Sequence, residues 1–443
     1  MSATVPIDES RMSNESAILL KAREESAQRL MMAYAITGLF FMLLPGTFLG
    51  VWNLISISGG RGSAISTSWI QAHGHAQIFG WIGTFILGIG FYSIPKLTGS
   101  SAQPAARGWV AWLLWTSGVL LRWASGFYHL YWRALLPISA TLEFAAFLIF
   151  LHSVGSHRPA RLPNDNKPMP VWMLSVLTGT VGFGVALLLN LIVAVFVSLH
   201  DTGPAFPVIF EARFLALVSY AFIVPTVWGF SARWLPTFLG LKPLNETVLR
   251  SALLLSISGV FLAAAGFSPI AHWLIAAAAI AAVTAFHLFE RPRQAPKTAG
   301  IHASFPAFLR VAYLWLLMAS SLGICSVYFD HNHGWIGASR HALTVGFVST
   351  MVFAIGQRVL PAFAGMRVLY SPRLMLACLL LLNMGCALRV SSEILAYENY
   401  WSPAWGILPV SAICELAAVT LFALNLLLTF KQPPAHLLKD ATV

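Results

Sequence analysis

Apolar runs of about 20 residues recur along the chain between short polar stretches, and about 20 residues is what a helix needs to cross a bilayer core. The runs predict twelve membrane-spanning helices, over residues 28–55, 70–97, 107–128, 133–155, 170–199, 207–236, 247–267, 269–290, 305–329, 339–361, 373–396 and 404–430. Composition agrees: 58% of residues are hydrophobic and 10% charged. The expected fold class is an all-α polytopic membrane protein.

The pattern repeats. His75, Gly80, Gly90, Pro95 and Gly99 fall on His341, Gly346, Gly356, Pro361 and Gly365 at a constant offset of 266. A middle copy brings Pro236 and Gly240 onto Pro95 and Gly99 at an offset of 141, and has Ala216 at the histidine position. Gly118, Leu121, Arg122 and Ser125 match Gly385, Leu388, Arg389 and Ser392, and the stretch 136–150 matches 408–422, setting Glu143 on Glu415. Matched Pro, Arg and Glu at steady offsets imply three units of four helices: 28–155, 170–290 and 305–430. Residues 1–27 and 431–443 flank them. An even number of spans per unit gives all three the same orientation, so the expected symmetry axis runs along the membrane normal.

Net charge is +11, but the basic residues sort by loop, which removes nucleic acid as the reason for the charge. With the N-terminus in the cytoplasm, 21 of 27 Lys and Arg lie on that side, among them Arg158, Arg161, Lys167, Arg291, Arg293, Lys297, Arg367 and Arg373. Arg61, Arg122, Arg133, Arg213, Arg340 and Arg389 fall on the other. This bias predicts both termini cytoplasmic. Residues 1–27 show no cleavable signal pattern, and Cys325, Cys378, Cys386 and Cys414 lie within spans without metal or haem-attachment spacing.

His75 and His341 sit at equal depth, roughly 8 Å below the outer boundary at 1.5 Å per residue. Imidazoles in hydrocarbon need partners, either a neighbouring helix or a shared metal. Two facing histidines among small residues, without soft sulfur, point to axial ligation of haem b, with Gly80, Gly83, Gly88, Gly90, Gly346 and Gly356 giving room for a porphyrin or merely for close helix packing. Arg122, Arg389 and Arg340 lie where propionates would need cations, although snorkelling to headgroups is the ordinary alternative. Glu143 and Glu415, deeper in the membrane, are candidates for a proton relay or for orienting an imidazole. His73, about 200° around the helix from His75, would serve a second haem, copper or a hydrogen bond in the adjacent space. His331 and His333 in the loop Asp330–Trp335 are weaker copper candidates, and Glu211 is expected to pair with Arg213 or to line the mouth.

The segments 73–99, 232–240 and 340–365 resemble the NnrS family of bacterial membrane proteins across essentially all twelve spans. That resemblance implies a haem- and copper-containing inner-membrane protein of the nitric oxide response, with nitric oxide as ligand and a quinol or respiratory-chain donor as partner. More distantly, histidines on spans two and ten are similar to those holding the low-spin haem in haem-copper oxidases and nitric oxide reductases, which assigns His75 and His341. The copper-ligating histidines of those enzymes have no counterpart from Pro207 to Phe267, and Ser339 stands where the high-spin haem ligand would be. A conventional oxygen-reducing centre is therefore not expected. The expected function is nitric-oxide related redox protection or electron transfer in the lipid bilayer. Its rivals are a proton-coupled secondary transporter and a non-catalytic haem-carrying assembly or sensory subunit.

Overall fold

Twelve long helices build the described part of the chain. In the computed structural model α1 runs Glu9–Phe41, continues through a π-helical turn at Met42–Phe48 and ends as Leu49–Ser58. Then follow α2 Thr67–Leu97, α3 Ala106–Tyr128, α4 Trp132–Gly155, α5 Val171–His200, α6 Val208–Leu239 and α7 Glu246–Ala264. The remainder are α8 Ser268–Ala285, α9 Phe305–Phe329, α10 Gly334–Phe363, α11 Pro372–Tyr397 and α12 Ala404–Lys431. Structure is described for residues 9–62, 65–97, 105–155 and 169–434, with side chains from Ile18 onward. Gly99, Arg158, Arg161, Lys167 and the segment 435–443 lie outside these residues.

Eleven of the helices are long and apolar enough to cross a bilayer. The twelfth, α3, has 23 residues, about 34 Å at 1.5 Å per residue, but carries Arg107, Arg122 and four tryptophans. Helices suit this role because they pair their backbone groups within the segment, which hydrocarbon demands. The first helix starts well before the expected residue 28, and α8 stops short of the expected 290 in a turn around His287.

Packing follows the repeat. Within each set of four, the first helix lies against the second and the third forms a hairpin with the fourth: α1 on α2 and α3 on α4, then α5 on α6 and α7 on α8, then α9 on α10 and α11 on α12. Between sets, α4 meets α5, α8 meets α9, and α12 meets α1, closing a ring. Glycine permits the closest approaches: a Cβ on Gly182 of α5 would collide with the Ala221 carbonyl oxygen of α6. Gly240 and Gly365 end α6 and α10 with φ of 63° and 93°, a left-handed conformation that glycine adopts without strain.

The second helix of every set also carries a π-helical turn at a matching place: Ala76–Gly83, Val218–Ile223 and Ala342–Ser349. Two of these begin on the residue after His75 and His341. Each turn widens the helix and shifts the register of every side chain beyond it, a distortion that recurs at functional sites.

Candidate functional site

Each matched histidine stands in its own polar cluster at the end of the ring remote from Ile18 and Lys431. In the first, His75 Nε2 lies 2.8 Å from Glu143 Oε1 on α4, and the imidazole stacks on Phe79 at 4.7 Å between ring centroids. Both residues of the pair are buried, Glu143 completely. Gly118 makes room for this acid, since a Cβ there would meet Glu143 Cγ at 2.8 Å. One turn on, the buried Arg122 guanidinium lies over the Phe206 ring at 4.6 Å. Phe206 is pinned to α2, its N–H donating to Gln71 Oε1 at 2.7 Å while its carbonyl accepts from Gln71 Nε2 at 2.9 Å. Phe79 faces Phe183 and Phe214, so the cluster lies where the first and second sets meet.

The second cluster keeps the glycine, glutamate and arginine positions but gives its histidine other partners. Gly385 lies against the half-buried Glu415, with the same 2.8 Å approach to Cγ, and Arg389 is buried. His341 Nδ1 stands 2.9 Å from the Gly337 carbonyl oxygen, one turn back, and 2.8 Å from Glu393 Oε2. The single Nδ1–H is aligned on the Gly337 oxygen, so Glu393 Oε2 is close without an aligned hydrogen bond. Glu393 also accepts from Arg389 Nη2 at 3.2 Å. Across the ring closure, His73 Nδ1 lies 2.9 Å from the Gly46 carbonyl oxygen in the π-helical turn of α1. His73 is within electrostatic reach of both His341 and Arg389.

Five groups in these clusters have unmet polar demand. Nε and Nη1 of Arg122 and of Arg389, Oε2 of Glu143, Oε2 of Glu393 and Oε1 of Glu415 are buried without a hydrogen-bond partner in the described structure. A guanidinium removed from water with N–H groups unpaired is costly, by several kcal/mol per ion. Repetition of that cost at two matched positions is what an anion-binding site requires. Glu211 of α6 lies within electrostatic reach of Arg122 and Arg340, and Arg340 within reach of Glu393, so the two clusters are joined by alternating charges.

A family model described as NnrS protein matches residues 30–433. The chain belongs to the NnrS family. A solved haem-copper terminal oxidase dimer, determined by cryo-electron microscopy, is similar in fold, with a TM-score of 0.57 at 13% identity over 92% of this chain and 85% of that one. No curated protein matches the sequence.

Several expectations are revised in this NnrS chain. Gly80 and Gly346 do not open onto free space: a Cβ would stand 3.0 Å from Phe41 at the first and 2.5 Å from Trp315 at the second. These glycines seat aromatic side chains of α1 and α9, because a flat ring fills the notch that a missing Cβ leaves. His75 and His341 engage different partners in different clusters, and the histidine electrostatically coupled to His341 is His73. Glu211, expected to pair with Arg213 or to line the mouth, lies within electrostatic reach of Arg122 and Arg340.

The loop carrying His331 and His333 is organised by a carboxylate, Glu398. This side chain accepts from the N–H groups of His331, Asn332 and Gly334 at 3.1, 3.2 and 2.9 Å. It thereby caps α10, whose own N-cap residue, His333, gives no side-chain bond. The His333 imidazole is exposed and its Nδ1 is 3.9 Å from Asp330 Oδ2. Among the described residues no group of three or more His, Cys, Asp or Glu side chains is arranged to hold a metal ion.

Glu393 and Glu398 escaped sequence reading. Glu393 matches Gly126 in the first copy, so the repeat hides it. Its signal was the spacing of four from Arg389 inside an apolar span, where i,i+4 pairs face each other.

Proposed function

We propose that this chain is a haem-b-carrying protein of the bacterial inner membrane, acting in the nitric oxide response by redox or electron-transfer chemistry, with both termini cytoplasmic. Membership of the NnrS family and the oxidase-like fold support the reading. The observation that carries it is the pair of buried arginines, Arg122 and Arg389, each with Nε and Nη1 unpartnered beside a histidine. Propionate carboxylates fit those nitrogens, since planar guanidinium and carboxylate groups pair through charge-assisted bonds. The donor set fits as well: imidazoles oriented through one ring nitrogen, and cysteines that are buried or half-buried without metal spacing.

His341 would hold the iron through Nε2, its Nδ1–H on Gly337 fixing ring direction and tautomer. Arg389 and Arg122 would hold carboxylates, with Arg340 contributing charge at the mouth. Glu393 balances the Arg389 cation. When bound, haem would supply one-electron redox chemistry and an iron with affinity for nitric oxide. The test is the reduced-minus-oxidised spectrum and pyridine haemochrome of the full chain purified in detergent. A b-type signal near one haem per chain is expected, and a colourless preparation from haem-replete cells overturns the reading.

A further inference from the structure

The seam between the first and second sets buries more polar atoms than its hydrogen bonds use. Glu143 gives Oε1 to His75 and keeps Oε2 without a partner in the described structure. Asn190 on α5 is 1% exposed, and neither its Oδ1 nor its Nδ2 is partnered there. An amide unpaired at both ends is costly inside a membrane protein, and such groups mark ion or proton paths.

Helix geometry turns the two side chains to one space. Asn190 lies midway along the α5 stripe Phe183, Asn190, Val197, with seven residues to either side, so all three point nearly the same way. Phe183 meets Phe147 of α4 and Phe79 of α2, at 5.1 and 6.2 Å between ring centroids. Val197 packs with Leu136 and Ala140 of α4 and with Phe206. Glu143 lies between Ala140 and Phe147 on α4, and its partner His75 stacks on Phe79. Counted from the Phe147–Phe183 contact at 1.5 Å per residue, Glu143 is about 6 Å and Asn190 about 10 Å towards the outer face. A difference of about 4 Å in depth between neighbouring helices is the span of one bridging water. Arg122, lying over Phe206 with Nε and Nη1 unpartnered, closes the outer side.

The pair suits a proton that comes and goes. A carboxyl that commits Oε1 to His75 can gain or lose a proton at Oε2 without breaking that bond. An asparagine amide offers N–H to the carboxylate and C=O to the acid, so it serves both states. The titratable or charged groups around them are His75 from α2, Arg122 from α3 and Glu211 from α6, with Arg340 of α10 in reach of Glu211; α5 contributes the neutral amide.

We propose that Glu143, His75 and Asn190 form a proton-exchange site in this seam, with the proton held at Glu143 Oε2 and carried by water bonded to the Asn190 amide. It reaches the outer face past Arg122 and the half-buried Glu211. Each proton gained by the carboxylate is lost by that water, which recovers one from the outer solvent. The site requires no bound cofactor.

The test is infrared difference spectroscopy of the full-length protein in detergent, between acid and alkaline buffer and between H2O and D2O. A protonated-carboxyl C=O band should rise on acidification, shift in D2O and vanish in Glu143→Gln. Asn190→Leu keeps the bulk and removes both polar atoms, so the D2O shift should slow more than about tenfold. Asn190→Val gives the same reading if the leucine variant does not fold. In Asn190→Ser, whose hydroxyl both donates and accepts, the shift should keep close to the wild-type rate. A band absent at every pH, or one that survives Glu143→Gln, overturns the proposal. A lowered thermal midpoint with an unchanged D2O rate in the apolar variant makes Asn190 a packing residue and overturns it too. Haem content is read separately, so a colourless preparation bears on the haem reading alone.

Discussion

His75 and Glu143 show how one buried hydrogen bond is committed. The acid is wholly buried, its Oε1 faces His75 Nε2, and its Oε2 has no partner. Removing one side of such a bond strands the other in a medium that cannot solvate it. Glu143→Ala should therefore lower stability by about 1–3 kcal/mol, read as a lower thermal midpoint in detergent. Glu143→Gln should recover most of the loss, because its amide oxygen still accepts from an Nε2–H. If the glutamine variant is as unstable as the alanine variant, acceptance of an Nε2–H by this side chain is not what stabilises the pair.

Among the helices, α10 depends on another element for its start. Its first turn is capped by Glu398, the residue that ends α11, so two helix ends share one carboxylate. Burial pushes Glu398 up, but the N–H groups of Gly334, His331 and Asn332 and a hydrogen bond with Asp330 outweigh it and hold the acid below its usual range. Asp330 moves the other way, raised by burial and by the neighbouring Glu398 against the Trp335 N–H. On acidification Asp330 takes its proton first and becomes a donor to Glu398, so the cap survives that step. Stability from a lowered carboxylate is present above its unfolded value of about 4.3 and is lost as pH falls through the folded one. Amide exchange at Asn332 and Gly334 should thus stay protected through the ordinary carboxylate range and rise only on stronger acidification. Glu398→Gln should show that fast exchange already at neutral pH, and protection unchanged in the variant would remove the carboxylate from the account.

The whole molecule is a ring of three sets in which two of three seams carry histidine, arginine and acid. The middle copy has Ala216 and Ala263 at the histidine and arginine positions, so its seam presents no such cluster. With the proposed orientation, the clusters open towards the periplasm. A fluorescent protein fused after Val443 should fold and fluoresce, and alkaline phosphatase there should be silent; phosphatase inserted in the Asp330–His333 loop should be active. The opposite pattern would invert the protein and place the arginine-rich mouth in the cytoplasm.

Much of this was legible in residue order. Spans followed from apolar runs, because hydrocarbon imposes length and composition on any segment that crosses it. Triplication followed from matched His, Arg, Pro and Glu, and with it the equivalence of Gly118–Glu143 and Gly385–Glu415, which recurs as the same 2.8 Å approach. Residue order did not decide which nitrogen meets which carbonyl, why His73 and His75 serve different seams, or how Glu393 and Glu398 enter the site. Those depend on π-helical turns that shift helix register and on contacts between residues 27 to 68 positions apart, made only once the ring closes. A local pattern fixes the face of a helix to within a turn, whereas a hydrogen bond of 2.8 Å needs the neighbouring helix in place.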